Sequence, residues 1–346
     1  MEEDTPQQIV RKPPSPTGAS WYWVLGGAAY GLAMRALLGL ASSLLHDSAF
    51  GGVMSQAFLI GTPVVVGALS IAGARNPPRV DDVLLRPLVA MGLMLLGCMI
   101  TLLEGSICIV ILAPLFMLLA MAGGAVMGLL IHLWRWRTSH LRAIAVAPLV
   151  MLAFESPPSS LGTQEIRETV EVHAPPAVVW QQILQARDIQ PDELPPSLVH
   201  AIGVPRPLAG VNLSTPQGEI RRSQWERGVN FVGRVRERRD GEYIRWEYEF
   251  NAHSFPPGTM DEHVAIGGRY FDLHDTAFEL SPLAGSSTRL TIVAHYRVTS
   301  SINFYAVPAA RVLGRDFVAS ILGLYKGRSE RAVTENSEIA RVAQRP

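Results

Sequence analysis

Cysteine is scarce in this chain: two occur among its 346 residues, Cys98 and Cys108. Both lie in apolar segments, so the sequence contains neither a disulfide framework nor the grouped thiols of a zinc site. We expect both to be buried as small apolar side chains. No metal ion and no cofactor is predicted.

Net charge is also absent, because 30 Lys and Arg residues balance 30 Asp and Glu residues. This balance argues against a nucleic-acid partner, which would favour a basic surface. The sequence has no phosphate-binding loop, no dinucleotide-binding fingerprint and no nucleophile elbow. It therefore identifies no catalytic residues by motif.

Long apolar runs are present, and they are concentrated in residues 21–154. A membrane-spanning helix needs about 20 mainly apolar residues. Four segments are predicted to be such helices: 21–45, 51–74, 87–103 and 107–134. The preceding residues 1–20 are polar and rich in proline, and they are predicted to form a disordered tail.

Basic residues in the first half predict its topology. They precede the first predicted helix, join the second to the third, and follow the fourth. These residues are Arg11, Lys12, Arg75, Arg79, Arg86, Arg135, Arg137 and Arg142. The other two loops contain neither Lys nor Arg. Because positive charge marks the cytoplasmic side, a multi-pass protein of the inner cell membrane with a cytoplasmic amino terminus is predicted.

Residues 143–154 form a shorter apolar segment with two interpretations. As a helix it would span about 18 Å, against a hydrocarbon core of about 30 Å. A fifth span would place the rest of the chain outside the cytoplasm, and an interfacial helix would keep it inside. Arg142 and Glu155 at its two ends slightly favour the span. The Pro- and Ser-containing residues 155–164 are predicted to be a linker.

Two charged residues lie deep in the predicted membrane block. Arg35 is well inside the first helix, and Glu104 ends the third. With the predicted topology both fall in the outer half of the bilayer, where they could pair. The pair is either a functional polar site or a structural ion pair, and we favour the structural interpretation.

The second half has the alternation of a sheet and the periodicity of one long helix. Val170, Val172 and Ala174 alternate with polar residues before Pro175, and similar alternation recurs at 243–250 and 288–298. A helix is predicted over about residues 309–333, with a frayed tail at 334–346. The predicted fold is therefore a transmembrane helical bundle followed by an α+β domain at 165–333, in which a curved antiparallel sheet wraps a long carboxy-terminal helix.

A strongly bent sheet does not close tightly on one helix, so a cavity is expected between them. Apolar and aromatic residues on the inner faces are predicted to line it. These are Trp225, Phe231, Val235, Ile244, Trp246, Tyr248, Phe250, Tyr270, Ile292, Tyr296, Leu313, Phe317 and Ile321. The cavity would suit a lipid or another hydrophobic small molecule.

The motif Val-x-Val-x-Ala-Pro-Pro-Ala-Val-Val-Trp, from Val170 to Trp180, together with the strand run and the closing helix, resembles the START-like, or helix-grip, superfamily. That superfamily includes polyketide cyclases, lipid-transfer domains and the birch-allergen type. The whole arrangement resembles bacterial membrane proteins that carry such a domain. The resemblance implies a pocket for a hydrophobic ligand between sheet and helix, and it implies no universal set of catalytic residues.

Four polar residues are candidates for chemistry: His263, Asp272, His274 and His295. An unbroken strand over 270–280 would point Asp272 and His274 into the cavity as an acid/base pair. A bulge at His274 and Asp275 would put them in water, and we favour this alternative.

Three functions follow. The first is a membrane-anchored domain that binds a lipid or other hydrophobic ligand for transfer, sequestration or sensing, with the bilayer as its other partner. The second is a cyclase- or hydratase-like enzyme acting on an apolar substrate. The third is a docking module for other membrane proteins, whose gap between sheet and helix would be filled.

Overall fold

The computed structural model describes residues 21–45, 52–74, 78–134, 141–260 and 263–343. The predicted disordered tail at 1–20 lies outside these residues. So do five of the basic residues that predict the topology, which are Arg11, Lys12, Arg75, Arg135 and Arg137.

The amino-terminal block is helical. Its helices are α1 (Trp21–Leu45), α2 (Thr62–Ile71), α3 (Val80–Ile100), α4 (Ser106–Trp134) and α5 (Leu141–Leu152). Three helical segments are long and apolar enough to cross a membrane: Trp21–Leu44, Val80–Ile100 and Ser106–Leu133. The segments Ala57–Ile71 and Ala143–Leu152 are apolar but shorter.

The predicted second span is not one regular helix. A 3₁₀ turn at Gly52–Met54 and a π-helical turn at Ala57–Gly61 precede α2. Pro63 lies at the start of α2 and has no N–H to donate to the preceding turn, which favours a widened turn there.

The predicted start of the third span is wrong, because it lies after the first residues of the helix. The helix starts at Val80 rather than at residue 87, and Pro87 lies inside it. Asp81 and Asp82 suit the positive end of a helix dipole, and Arg86 pairs with Asp82 at 2.8 Å, one helical turn away. These charged residues therefore belong to the helix although they are not apolar.

The outer faces of the long helices are apolar. Large side chains that are not packed inside the block remain exposed on α1, α3 and α4. They include Leu25, Leu40, Leu85, Leu96, Leu118 and Leu129. A surface of this kind suits hydrocarbon as the surrounding solvent. Cys98 and Cys108 are both buried, as expected.

The carboxy-terminal domain contains one antiparallel sheet with the strand order β1-β8-β7-β6-β5-β4-β3-β2. Its strands are β1 (Ser159–Val172), β2 (Gln185–Ala186), β3 (Pro207–Thr215), β4 (Gly218–Trp225), β5 (Asn230–Arg239), β6 (Tyr243–Glu249), β7 (Phe271–Leu283) and β8 (Ser287–Ser300). Its helices are α6 (Pro176–Leu184), α7 (Leu198–Ala201) and α8 (Asn303–Ala343). The sheet curls around α8, so the predicted fold class, a helix-grip domain after an apolar helical block, is confirmed.

Two elements of this domain have bounds that differ from the prediction. The first strand begins at Ser159, inside the predicted linker, because Ser159 and Ser160 pair with the end of β8 before a bulge near Gly162. The last helix runs from Asn303 to Ala343 rather than over 309–333. Polar residues that favour a helix extend it beyond its apolar stripe.

The domain contacts the helical block beside the turn between α3 and α4. The hydroxyl of Ser106 donates to the carbonyl of Ile202 at 2.9 Å, and the hydroxyl of Tyr305 donates to the carbonyl of Ile111 at 2.5 Å. The hydroxyl of Ser301 donates to the carbonyl of Met54 at 3.0 Å. The start of α8 is therefore joined to the block at the first turns of α4.

Candidate functional site

A cavity of about 310 Å³ lies between the concave face of the sheet, α8 and the helical block. Its volume is within the range of about 300–1,000 Å³ that small-molecule pockets occupy. The gap between sheet and helix is therefore not filled by side chains, contrary to what the docking-module hypothesis required.

Eleven of the thirteen residues predicted to line the cavity do so. They are Trp225, Phe231, Trp246, Tyr248, Phe250, Tyr270, Ile292, Tyr296, Leu313, Phe317 and Ile321. Val235 and Ile244 do not. Ile244 is fully buried in the core cluster that also contains Val179 and Ile183 of α6, and Val235 packs against that cluster. At this end of the concave face the sheet is covered by packed side chains.

The wall formed by α8 changes along the helix. Ala306, Ala309 and Ala310 line the cavity near the start of the helix, and Phe317 and Ile321 line it further along. The lining of α8 therefore combines several small side chains beside the helical block with larger ones further along. The prediction missed Ala306 because it began the helix at residue 309.

The helical block supplies a further wall, which the sequence did not predict. The lining residues are Met54, Leu59, Ile107, Cys108, Ile111 and Leu112. Four of them lie in the first two turns of α4. Each segment was predicted to cross the membrane, but nothing in its pattern indicated that it would also close a cavity in the other domain.

The segment between β6 and β7 covers another side. Met260, His263, Val264 and Ile266 lie in the lining. The ring of His263 contacts that of Tyr270 edge to face, with centroids 5.8 Å apart. Of the four polar candidates, His263 is therefore the one that reaches the cavity within the described part of the chain.

Most polar atoms of the sheet wall bond to one another. The indole N–H of Trp246 donates to the hydroxyl of Tyr248 at 3.1 Å, and that hydroxyl donates to Thr276 at 3.0 Å. Burial raises the pKa of Tyr248, so its hydroxyl stays protonated. The wall therefore presents aromatic surface and few unsatisfied polar atoms.

Two groups of the wall are exceptions: the buried hydroxyl of Tyr296, which has no hydrogen-bond partner within the described residues, and Arg221 on β4. The side chain of Arg221 is buried, with only 5 % of the residue exposed, and it lines the cavity. Nη1 donates to the carbonyl of Ile183 at 2.7 Å and to Oδ1 of Asn212 at 3.0 Å. Nη2 donates to the hydroxyl of Tyr325 at 2.8 Å, and the guanidinium carbon lies 4.6 Å from the ring centroid of Trp246. No Asp, Glu or Lys of the described residues lines the cavity.

Two glycines make this arrangement possible. A Cβ at Gly210 would lie 2.3 Å from Nη2 of Arg221, and a Cβ at Gly233 would lie 2.8 Å from Cδ1 of Trp246. Any other residue at either position would displace the guanidinium or the indole. Arg221 was not among the predicted lining residues, although strand alternation backwards from Trp225 places Ser223 and Arg221 on the same inner face.

Asp272 and His274 do not form an acid/base pair in the cavity. The register of β7 against β8 shifts between Leu273 and Asp275, so the bulge that we favoured is present at His274. Phe271 and Leu273 line the cavity instead. Asp272 accepts from Arg297 at 3.1 Å on the outer face.

His295 also lies outside the cavity, where Nδ1 is 2.9 Å from Oδ1 of Asp275. Within the described residues no group of three or more His, Cys, Asp or Glu side chains could hold a metal ion.

Arg35 and Glu104 are brought together in the helical block. Nε of Arg35 lies 2.5 Å from Oε1 of Glu104, and Nη2 donates to the carbonyl of Leu103 at 2.5 Å. Both side chains are about nine-tenths buried, at 10 % and 12 % exposed. The two residues do not line the main cavity.

No protein-family model and no curated protein matches this chain. Solved structures that match include a START superfamily protein from Mycobacterium smegmatis, at 16 % identity and a TM-score of 0.33, over 49 % of this chain and 99 % of that one. The Zhui aromatase/cyclase from Streptomyces sp. R1128 matches at 17 % identity and a TM-score of 0.31, over 50 % and 96 % of the two chains. Norcoclaurine synthase from Thalictrum flavum matches at 12 % identity and a TM-score of 0.31, over 51 % and 88 %. The helix-grip assignment itself rests on the strand order and the position of α8.

Proposed function

We propose that this protein is a membrane-anchored helix-grip domain that binds a lipid or another hydrophobic molecule taken from the bilayer, for transfer, sequestration or sensing. The observation that carries the proposal is the shared cavity. It lies in the domain, yet its wall includes Ile107, Cys108 and Ile111 of α4. A ligand that partitions into the bilayer would therefore meet the cavity without crossing much water.

Exposed apolar side chains beside the junction support contact with the bilayer surface. Phe154 follows α5, Leu161 lies near the start of β1, and Phe304 lies in the first turn of α8. They are 83 %, 65 % and 68 % exposed, respectively. Large apolar groups at the edge of a membrane block suit the interface between lipid and water.

The proposal also specifies the side of the membrane on which the helix-grip domain lies. The domain docks beside the turn between α3 and α4, which has no basic residue, while Arg79 and Arg86 lie at the other end of α3. By the positive-inside rule the domain then lies on the non-cytoplasmic side, with α5 as the return segment. Protection of a tag at Pro346 from external protease in intact cells would contradict this orientation.

The enzyme hypothesis required an acid/base pair inside the cavity. Asp272 faces outward, so that pair does not form there. The hypothesis of a docking module required a solid interior. Binding of a hydrophobic ligand therefore fits the geometry best.

The test compares two tryptophan substitutions on α8. Ala310→Trp would fill the cavity beside the membrane block, and Val312→Trp would add the same side chain on an exposed face of the same helix. The full chain is purified in lipid nanodiscs, and small molecules that remain bound after exchange into a second lipid are measured by native mass spectrometry.

The wild type and Val312→Trp are expected to retain a bound apolar molecule, and Ala310→Trp is expected to lose it while keeping a cooperative thermal transition. An empty wild-type protein, or an equal load in all three, would rule out the proposed function.

A further inference from the structure

We propose that Arg221 receives the anionic head group of a single-chain amphipath, and that the apolar tail runs back along α8 towards the helical block. This inference rests on the proposed function and names the chemical class of its ligand. The head group is an oxyanion, either a carboxylate or a phosphate.

The hydrogen bonds of Arg221 are incomplete. A guanidinium carries five N–H donors. Three are used, on the carbonyl of Ile183, on Asn212 and on the hydroxyl of Tyr325. Among the described residues no acceptor takes the N–H of Nε or the second N–H of Nη2. A fork of two adjacent donors matches the two oxygens of an oxyanion.

The charge of Arg221 is also uncompensated. All three acceptors are neutral, and no carboxylate contacts the guanidinium in the described chain. Glu219 is one step removed, because it accepts from Nδ2 of Asn212, and it is already paired with Arg238 at 2.6 Å. A buried cation without a counter-ion is costly, and an anion that enters the cavity would remove that cost.

A structural role explains only part of this arrangement. The carbonyl of Ile183 belongs to the last turn of α6, where a cation is favourable. That contact uses Nη1 alone. It does not account for the space that Gly210 leaves for Nη2, or for the position of the guanidinium over Trp246 in the cavity wall.

The position of Arg221 along the cavity sets the orientation of the ligand. Tyr325 contacts Arg221, and Tyr305 contacts α4. Tyr305 and Tyr325 are the first and the last residues of α8 that line the cavity. The head group therefore lies far from the membrane block and the tail reaches towards it. An amphipath in a bilayer presents its head group to water, so it would enter this domain head first.

The volume limits the ligand to one tail. About 310 Å³ is at the lower end of the range for small-molecule pockets. Between Arg221 and α4 the lining is apolar or aromatic for most of its surface, which suits a hydrocarbon chain.

The test uses four probes of one chain length: hexadecanoic acid, hexadecyl phosphate, hexadecan-1-ol and hexadecyltrimethylammonium. Binding to the full chain in nanodiscs is measured for the wild type, for Arg221→Met and for Arg222→Met. Arg222 is the matched control, because it is the next residue of β4 and is exposed on the other face.

The wild type and Arg222→Met are expected to bind the acid or the phosphate about ten-fold or more tightly than the alcohol, as a charge-assisted hydrogen bond to an ion predicts. Arg221→Met is expected to bind the alcohol as before and to lose this preference. The tighter of the two anions distinguishes a carboxylate source from a phosphate source.

Equal binding of acid, phosphate and alcohol to the wild type would overturn the inference and leave the proposed function standing. A preference that survives in Arg221→Met would also overturn it. If none of the four probes binds, the proposed function itself fails.

A second measurement decides the case if Arg221→Met does not fold. Hexadecanoic acid labelled with carbon-13 at the carboxyl group is titrated by NMR on the wild type and on Arg221→Lys. Beside the guanidinium the pKa of the bound carboxyl is expected to fall well below that of the acid in the nanodisc, and the shift is expected to shrink with lysine. An unshifted carboxyl in the wild type would show that Arg221 serves only to hold α6 and α8 together.

Discussion

Each half of the molecule buries an arginine, and the two arginines differ in the groups that contact them. In the helical block Arg35 meets the carboxylate of Glu104 at 2.5 Å and a backbone carbonyl. In the helix-grip domain Arg221 meets only a carbonyl, an amide oxygen and a tyrosine hydroxyl. The charge of Arg35 is compensated within the protein. Arg221 has unused N–H donors beside a cavity, and we propose that a ligand supplies its counter-ion.

The surroundings explain the difference. Arg35 lies in a predicted span whose outer surface is apolar, so a missing counter-ion would have no water to replace it. Arg221 lines a cavity, where an exchangeable molecule can supply the counter-ion. The following changes, from the largest expected effect to the smallest, test this contrast.

The largest effect is expected from Glu104→Leu, because it leaves the charge of Arg35 buried without a carboxylate partner. Breaking one side of a buried ion pair costs about 3–5 kcal/mol. The thermal transition of the helical block in detergent should therefore fall sharply or disappear, as measured by the melting temperature of the purified protein.

The double variant Arg35→Leu with Glu104→Leu is the control, and it is expected to recover most of the loss, since both charges are then removed. Assembly and melting that are unchanged in Glu104→Leu would show that the pair contributes little.

A smaller effect is expected from Arg221→Met. This change removes a cation that has no carboxylate partner, so it leaves no buried charge behind. The lost hydrogen bonds to a charged group should cost about 2–3 kcal/mol in chemical unfolding of the domain.

Arg222→Met should cost far less, because Arg222 is exposed. If Arg221→Met destabilised the protein as severely as Glu104→Leu, the contrast between the two arginines would not hold.

The smallest effect is expected at an ion-pair cluster of the domain in which Glu193 meets two arginines, one of which, Arg331, is 54 % exposed. Glu193 accepts from Arg328 at 2.6 Å and from Arg331. Burial acts to raise the pKa of Glu193, but the hydrogen bond from Arg328 and the charges of Arg328 and Arg331 outweigh it, so that the pKa lies below its ordinary value of 4.5.

A pKa that is lower in the folded protein stabilises the fold above the unfolded pKa, and this contribution is lost as pH falls through the folded value. Glu193→Gln should therefore cost about 1–2 kcal/mol at neutral pH. Its melting temperature should depend less on pH than that of the wild type between about pH 5 and pH 3. Parallel pH profiles for the two proteins would contradict this assignment.

The fold class was predictable because it depends on patterns within single elements. Alternation at 243–250 and 288–298 gave two strands, and the stripe from Leu313 to Ile321 gave the long helix. Element bounds were less predictable where charge replaced apolar character, as in the first turn of α3, which holds Asp81 and Asp82.

The cavity was predictable only on the side of the domain. Inner faces of strands follow from period-2 alternation, which is why Trp246 and Tyr296 were expected in the lining. Ile244 shares that face but lies where α6 covers the sheet, and this depends on packing between distant elements. The contribution of Ile107 and Ile111 depends on how two domains dock, which no local pattern encodes.

The central claim is that one cavity extends from the helical block into the helix-grip domain. It is tested most directly by photo-crosslinking with hexadecanoic acid that carries a diazirine at the end of its tail. With the head group at Arg221, we predict labelling of Ile107 or Ile111 on α4, found by peptide mass spectrometry, and loss of that label in Ala310→Trp. Labelling confined to exposed residues on the outer face of the helical block, such as Leu96 and Leu118, and unchanged in Ala310→Trp, would contradict the claim.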